Sequence, residues 1–199
     1  MEITYTENQI VFKKQLNTLD KFVIDFTSLL NRLNICYVIV SGYVTILFGR
    51  SRVSEDVDII VERIEFDKFE KLWDALKKDF VCINAKEAKE AFERYLQAGV
   101  ALRFAKKNRF IPNIEFKFPK ISLDLWTLRE RKKVLLNNHE IFISPLELQI
   151  PFKLYLGSEK DIEDAKYLYN LFKNNIDTKV LNEFIQKLKT EELFKRYLE

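Results

Sequence analysis

Phe12, Leu16, Leu19, Val23, Phe26, Leu30 and Leu33 recur at steps of three and four, a spacing that predicts one amphipathic helix of about seven turns, its stripe laid across a sheet. The continuous apolar run CYVIV (36–40) predicts a buried strand, Ser41-Gly42 a turn, and YVTILFG a short helix closing at Gly49. DVDIIV (56–61) predicts a second strand. Helical periodicity follows from Phe66 to Leu76, then a short strand FVCI (80–83) and another amphipathic helix over 86–97. ALRF (101–104), IEFKF (114–118) and ISLDLW (121–126) alternate like strands of a half-buried antiparallel sheet, the last two parted by a Pro119-Lys120 turn. VLL and EIFI flank Asn137, Asn138 and His139 as a hairpin, and the pattern is helical from Ser144 onward. The expected architecture is α/β (α+β): a mixed sheet with helices mainly on one face over 1–144, then a helical part over 145–199.

Composition narrows the function classes. Across 199 residues, 47% are apolar and the net charge is +3, which excludes both a disordered chain and a histone-like polybasic binder. The charge is uneven, however: residues 101–133 carry ten basic and three acidic side chains, so the middle of the chain holds the positive field. Cys36 and Cys82 fall in strand-like runs and are expected to be reduced core thiols, which points to a cytoplasmic location. No apolar run approaches a bilayer span, so neither secretion nor membrane insertion is expected. Four glycines leave no room for a Gly-rich Walker or dinucleotide loop. A single histidine without partners gives neither a zinc ligand set nor a Ser-His-Asp hydrolase.

The chemistry is concentrated in the second strand. Asp56 and Asp58 are one residue apart on a strand, so both carboxylates leave the same face with Cα atoms about 6.5–7 Å apart, close enough to share a hard divalent cation such as Mg²⁺. The turn at Ser41-Gly42 lets backbone approach a ligand closely and opens a helix whose first amides favour an anion. If strands 36–40 and 56–61 are neighbours, a nucleoside triphosphate fits between them, and the parts are those of phosphoryl transfer.

Residues 40–61, VSGYVTILFGRSRVSEDVDIIV, resemble the signature of the DNA polymerase β-type nucleotidyltransferase superfamily, in the subgroup of AbiEii-type toxins and their solitary relatives. That subgroup carries a strand-to-helix glycine turn followed by Arg-x-Ser/Thr-x-Asp-hydrophobic-Asp, matched by Arg52, Ser54, Asp56 and Asp58. A second match lies in residues 144–168, where a helical lysine precedes Lys/Arg-Asp-x-x-Asp; Lys153, Lys160, Asp161 and Asp164 fit. The resemblance spans roughly residues 35–172 by inspection. It implies that Asp56 and Asp58 hold metal with a third strand carboxylate, for which Asp124 fits the hydrophobic-Asp-hydrophobic pattern and Glu115 competes. It further implies that Lys153 contacts the triphosphate and that Ser41, Gly42, Tyr43, Arg52, Ser54, Asp161 and Asp164 belong to the nucleotide site.

For Arg52 the alternatives are a phosphate contact or a partner that orients Asp58. Asp161 is also explained by a capping box opened by Ser158, and both it and Asp164 by the helix dipole. Tyr43, where relatives carry a small hydroxyl residue, either crowds the phosphate pocket or lends its own hydroxyl. Ser158 stands where many relatives have arginine. Pro151 is expected to kink the helix that bears Lys153. The implied activity is Mg²⁺-dependent transfer of NMP from an NTP to a hydroxyl, with the 3′ end of tRNA favoured by the positive middle segment and by the toxin resemblance, and a cognate antitoxin as a further partner. The alternatives are a small-molecule acceptor, or a catalytically silent binding module of a toxin–antitoxin system.

Overall fold

The computed structural model describes residues 2–6 and 9–199. Its strands are β1 (Ile3–Tyr5), β2 (Gln9–Phe12), β3 (Tyr37–Val40), β4 (Asp56–Val61), β5 (Phe80–Cys82), β6 (Leu102–Lys106), β7 (Asn113–Lys117), β8 (Lys132–Leu136) and β9 (His139–Ile143). They form one sheet in the order β1-β2-β8-β9-β3-β4-β7-β6-β5. Parallel pairing joins β2 to β8, β3 to β9 and β4 to β7; the other neighbours are antiparallel. The helices are α1 (Thr18–Arg32), α2 (Gly42–Leu47), α3 (Phe66–Leu76), α4 (Ala88–Glu90) running on as a π-helical stretch (Ala91–Leu96), α5 (Ser122–Arg129), α6 (Leu146–Leu156), α7 (Glu159–Phe172), α8 (Thr178–Lys187) and α9 (Glu191–Tyr197).

Alternation along the central strands divides the sheet into two unlike faces. Tyr37, Ile39, Val57, Ile59, Val61, Ile114 and Phe116 point into the main core, which α1 and α3 cover with Phe22, Phe26, Leu30, Phe69 and Leu72. The other face carries a small apolar cluster of Val38, Ile60 and Leu128, the last contributed by α5. Next to that cluster it presents the polar side chains of β4 and β7. The main core also takes Leu146, Ile150, Leu154, Ala165 and Leu168 from α6 and α7, so the C-terminal helices are packed into the same interior as the sheet.

Three expectations fail for local reasons. The predicted N-terminal helix begins at Thr18, not near Phe12, because Asn17 caps it: its side chain accepts from Asp20 N while the Asp20 carboxylate accepts from Asn17 N. Ile10 and Phe12 instead alternate as the buried positions of β2. Residues 121–126 form the start of α5, not a strand. Ile121 and Leu125, expected on a buried face, are 57% and 58% exposed, and the Asp124 carboxylate accepts from Lys120 N at 2.8 Å and Ile121 N at 3.3 Å. The second of these bonds satisfies the amide of the residue that caps α5, one of the donors the start of a helix leaves free. Finally, α6 runs unbroken through Pro151, and its start is not side-chain capped. The Asn137-Asn138 turn behaves as expected, both residues taking positive φ between β8 and β9.

Candidate active site

The turn between β3 and α2 is strained. Ser41 has φ 64° and ψ −139°, a region L-residues rarely enter and one that costs on the order of 1–3 kcal/mol. It is held from α6: Gln149 Nε2 donates to Ser41 O at 2.8 Å, and Gln149 Oε1 accepts from Ser144 Oγ at 2.7 Å. Beside the turn, antiparallel pairing sets Val40 opposite Asp58, so the end of β3 and the aspartate strand are neighbours. Ser41, Asp58, Lys117, Asp124 and Phe152 line a cleft of about 210 Å³ between the sheet and helices α5 and α6.

Asp56 and Asp58 lie at the first and third positions of β4 and therefore share the polar face. The register sets Asn113 opposite Asp56 and Glu115 opposite Asp58. Glu115 is thus the strand carboxylate nearest in register to the pair. The expectation of a strand-borne Asp124 is corrected accordingly: Asp124 reaches the cleft from the start of α5, with Oδ2 already engaged by two main-chain N–H groups. Two cations occupy this face as well. Lys117 Nζ donates to Asp58 Oδ1 at 2.8 Å, and Arg103 Nη2 to Glu115 Oε1 at 2.7 Å. Among the described residues, no three His, Cys, Asp or Glu side chains are grouped closely enough to hold a metal ion.

A second, buried ionic network stands behind the turn. Asp164 on α7 is fully buried and accepts from Arg50 Nη1 and from Arg52 Nη1 at 3.0 Å, with Lys153 Nζ also 3.0 Å away. Lys153, 2% exposed, makes a 2.6 Å bond to Asp161 Oδ1. Ser158 Oγ donates to Asp161 Oδ2 at 2.6 Å and accepts from Asp161 N, so the expected cap of α7 is formed. Burial disfavours the Asp161 carboxylate, yet the hydrogen bonds from Lys153 and Ser158 and the charges of Lys153 and Arg52 outweigh it and hold the group below its ordinary range.

The geometry redistributes several of the predicted roles. The Lys153 ammonium is ion-paired with Asp161 and Asp164. Arg50 belongs to the network as well. Among the described residues Arg52 makes no hydrogen bond or ion pair with Asp58 and instead lies against Gly42, where any Cβ would overlap its Nη2. The space a glycine leaves there is filled by guanidinium. Tyr43 turns into the core, donating its hydroxyl to the buried Asp20 at 3.0 Å, while Lys14 Nζ lies 2.9 Å from the same oxygen. Its side chain therefore takes no part in the cleft. Ser54 Oγ donates to Asp56 O at 3.0 Å, fixing the entry to β4. Lys117, Arg103 and Gln149 were missed. The signal for the first two was the alternation in IEFKF and ALRF, which sets Glu115 and Lys117 on one face and Arg103 on a polar face; Gln149 left no comparable mark in sequence.

Three solved structures share this arrangement of elements. An antigenic nucleotidyltransferase-like protein from Paracoccidioides brasiliensis aligns over 92% of this chain and 94% of its own, with TM-score 0.53 and 17% identity. The antibiotic-resistance factor ANT(2'')-Ia, in a solution structure, aligns over 88% of this chain and 94% of its own, with TM-score 0.52 and 9% identity. A crystal structure of ANT(2'')-Ia in complex with adenylyl-2''-tobramycin aligns over 88% and 99%, with TM-score 0.54 and 9% identity. The chain has a nucleotidyltransferase-like fold. Comparison of the sequence with protein-family models and with curated proteins gave no match. At these identities the likeness concerns the fold alone. Among the described residues, no helix is long and apolar enough to cross a membrane.

Proposed function

We propose that this chain is a nucleotidyltransferase that moves NMP from an NTP to a hydroxyl acceptor. One observation carries the reading: within a nucleotidyltransferase-like fold, Asp56 and Asp58 share a strand face, with Glu115 opposite Asp58 in register and a strained turn beside them. The donors of the pair are carboxylate oxygens, which suit Mg²⁺; Asp56 and Asp58 would hold it together with oxygens of the bound NTP. When bound, the ion withdraws charge from the phosphates.

The chain's own groups do the rest. Arg52, packed on Gly42 and anchored by Asp164, brings positive charge to the turn. Glu115 takes the proton of the acceptor hydroxyl as its oxygen bonds to the α-phosphorus. The bond to the β-phosphate bridging oxygen breaks, and pyrophosphate leaves with the electron pair. Glu115 also borders a groove of about 450 Å³ lined by Arg103, Lys120 and Val100, which supports a polyanionic acceptor such as the 3′ end of tRNA; a toxin-like role with a cognate antitoxin rests on the sequence resemblance alone.

A second reading, a silent module of the same fold, is favoured by Asp58 and Glu115 each being paired with a cation. Incubation with Mg²⁺, each labelled NTP, and either total tRNA or a panel of aminoglycosides separates these readings. Transfer that is lost in Asp56→Ala supports the enzyme. No transfer to any acceptor, together with no NTP binding by calorimetry, leaves the silent module.

A further inference from the structure

Two cations bound to one catalytic carboxylate use its two oxygens. In this chain one oxygen of Asp58 is already taken: Lys117 Nζ sits 2.8 Å from Oδ1. The contact follows from the fold, since the register sets Lys117 opposite Ile60, one step along the same face from Glu115 and Asp58. Lys117 and Asp58 both line the cleft, with side chains 30% and 21% exposed, so the pair faces the enclosed space. Arg103 holds Glu115 in a similar way, and among the described residues Asp56 has no cation paired with it.

We propose that the Lys117 ammonium is a built-in cation of the nucleotide site. It holds Oδ1 of Asp58, leaves Oδ2 for a single divalent ion, and supplies the positive charge that a second ion would bring to the phosphates. Sites with two metal ions place them about 4 Å apart on shared carboxylates, and an ammonium bonded to one oxygen of such a carboxylate excludes the ion that would bind there by charge and by volume. The proposal rests on the nucleotidyltransferase reading for its catalytic part, but not for its metal-binding part.

The test is Mn²⁺ binding to the full chain followed by electron paramagnetic resonance, with and without a non-hydrolysable NTP analogue. Wild type is expected to bind one Mn²⁺, and Lys117→Arg to do the same. Lys117→Met removes a repelling charge, so its Mn²⁺ affinity rises on the order of tenfold and a second ion binds when the analogue is present. In the transfer assay Lys117→Met lowers kcat at saturating metal, with KM for the NTP changed less. Unchanged Mn²⁺ affinity and stoichiometry in Lys117→Met would overturn the proposal. So would faster transfer in that variant, since a lock released by substitution is not a working cation. Thermal melts of both variants verify folding. If wild type transfers no nucleotide at all, the enzyme reading fails while the Mn²⁺ measurements still decide whether Lys117 excludes a second ion.

Discussion

The assignment of Lys153, Asp161 and Asp164 to a buried ionic scaffold makes a quantitative claim about Asp164. Replacing it with Asn keeps the shape and removes the charge, leaving Arg50, Arg52 and Lys153 with only Asp161 as counter-ion, at a point where Asp164 is fully buried and Lys153 is 2% exposed. Breaking such a buried group costs about 3–5 kcal/mol, because the remaining charges lose their compensation. For a chain of this length the unfolding entropy is about 0.4 kcal/mol per kelvin, so thermal melting by circular dichroism is expected to fall by roughly 7–12 °C. Lys153→Met leaves Asp164 with both arginines and Asp161 with Ser158, and costs less, about 1–3 kcal/mol. The two changes share one interaction, so the double variant is expected to be more stable than their sum predicts, by about 1 kcal/mol or more. A melting point for Asp164→Asn within about 2 °C of wild type, or strict additivity in the double variant, refutes the scaffold and returns Lys153 to the triphosphate-binding role that the family resemblance implies.

Two further outcomes follow from the same geometry. Asp161 has a folded-state pKa below its ordinary value of 3.8, so the unfolded chain binds more protons; its contribution to stability is fully present above that value and is lost as pH falls through the lower folded one. Urea midpoints measured between about pH 5 and pH 3 should therefore drop less steeply for Asp161→Asn than for wild type, and parallel slopes would contradict the assignment. Gly42→Ala drives a Cβ into Arg52 and should displace its guanidinium from Asp164, costing about 1–3 kcal/mol in melting experiments. The same change in an Arg52→Ala background is expected to cost much less, and an equal cost in both would mean that Arg52 is not what requires the glycine.

Much of the scaffold was written locally. β4 and α3 match the predicted runs at both ends, and β3 and the Asn137-Asn138 hairpin fall where the pattern put them, because their alternation and turn residues act over a few positions. Local signals also misled: ISLDLW alternates like a strand, but an aspartate three residues past Ile121 caps a helix, and the bonds it makes to Lys120 N and Ile121 N decide the matter. Phe12 fits a helical stripe and a strand equally well, and pairing of β2 with β8, more than a hundred residues away, selects the strand.

By itself, then, the sequence determined that Asp56 and Asp58 share a face, since period-two alternation needs no tertiary information. It also determined that a glycine turn precedes them, and it offered a Ser158 cap of α7 as one of two readings of Asp161, the one the structure forms. Only the tertiary structure decided that Glu115 lies opposite Asp58 while Asp124 reaches the cleft from α5, because the parallel register of β4 with β7 joins segments far apart in the chain. The same holds for the partners of the charges. Arg50, Arg52 and Lys153 converge on Asp164, and Lys117 on Asp58, through folding of distant segments, and a buried charge takes its role from whichever counter-ion the fold brings within about 3 Å.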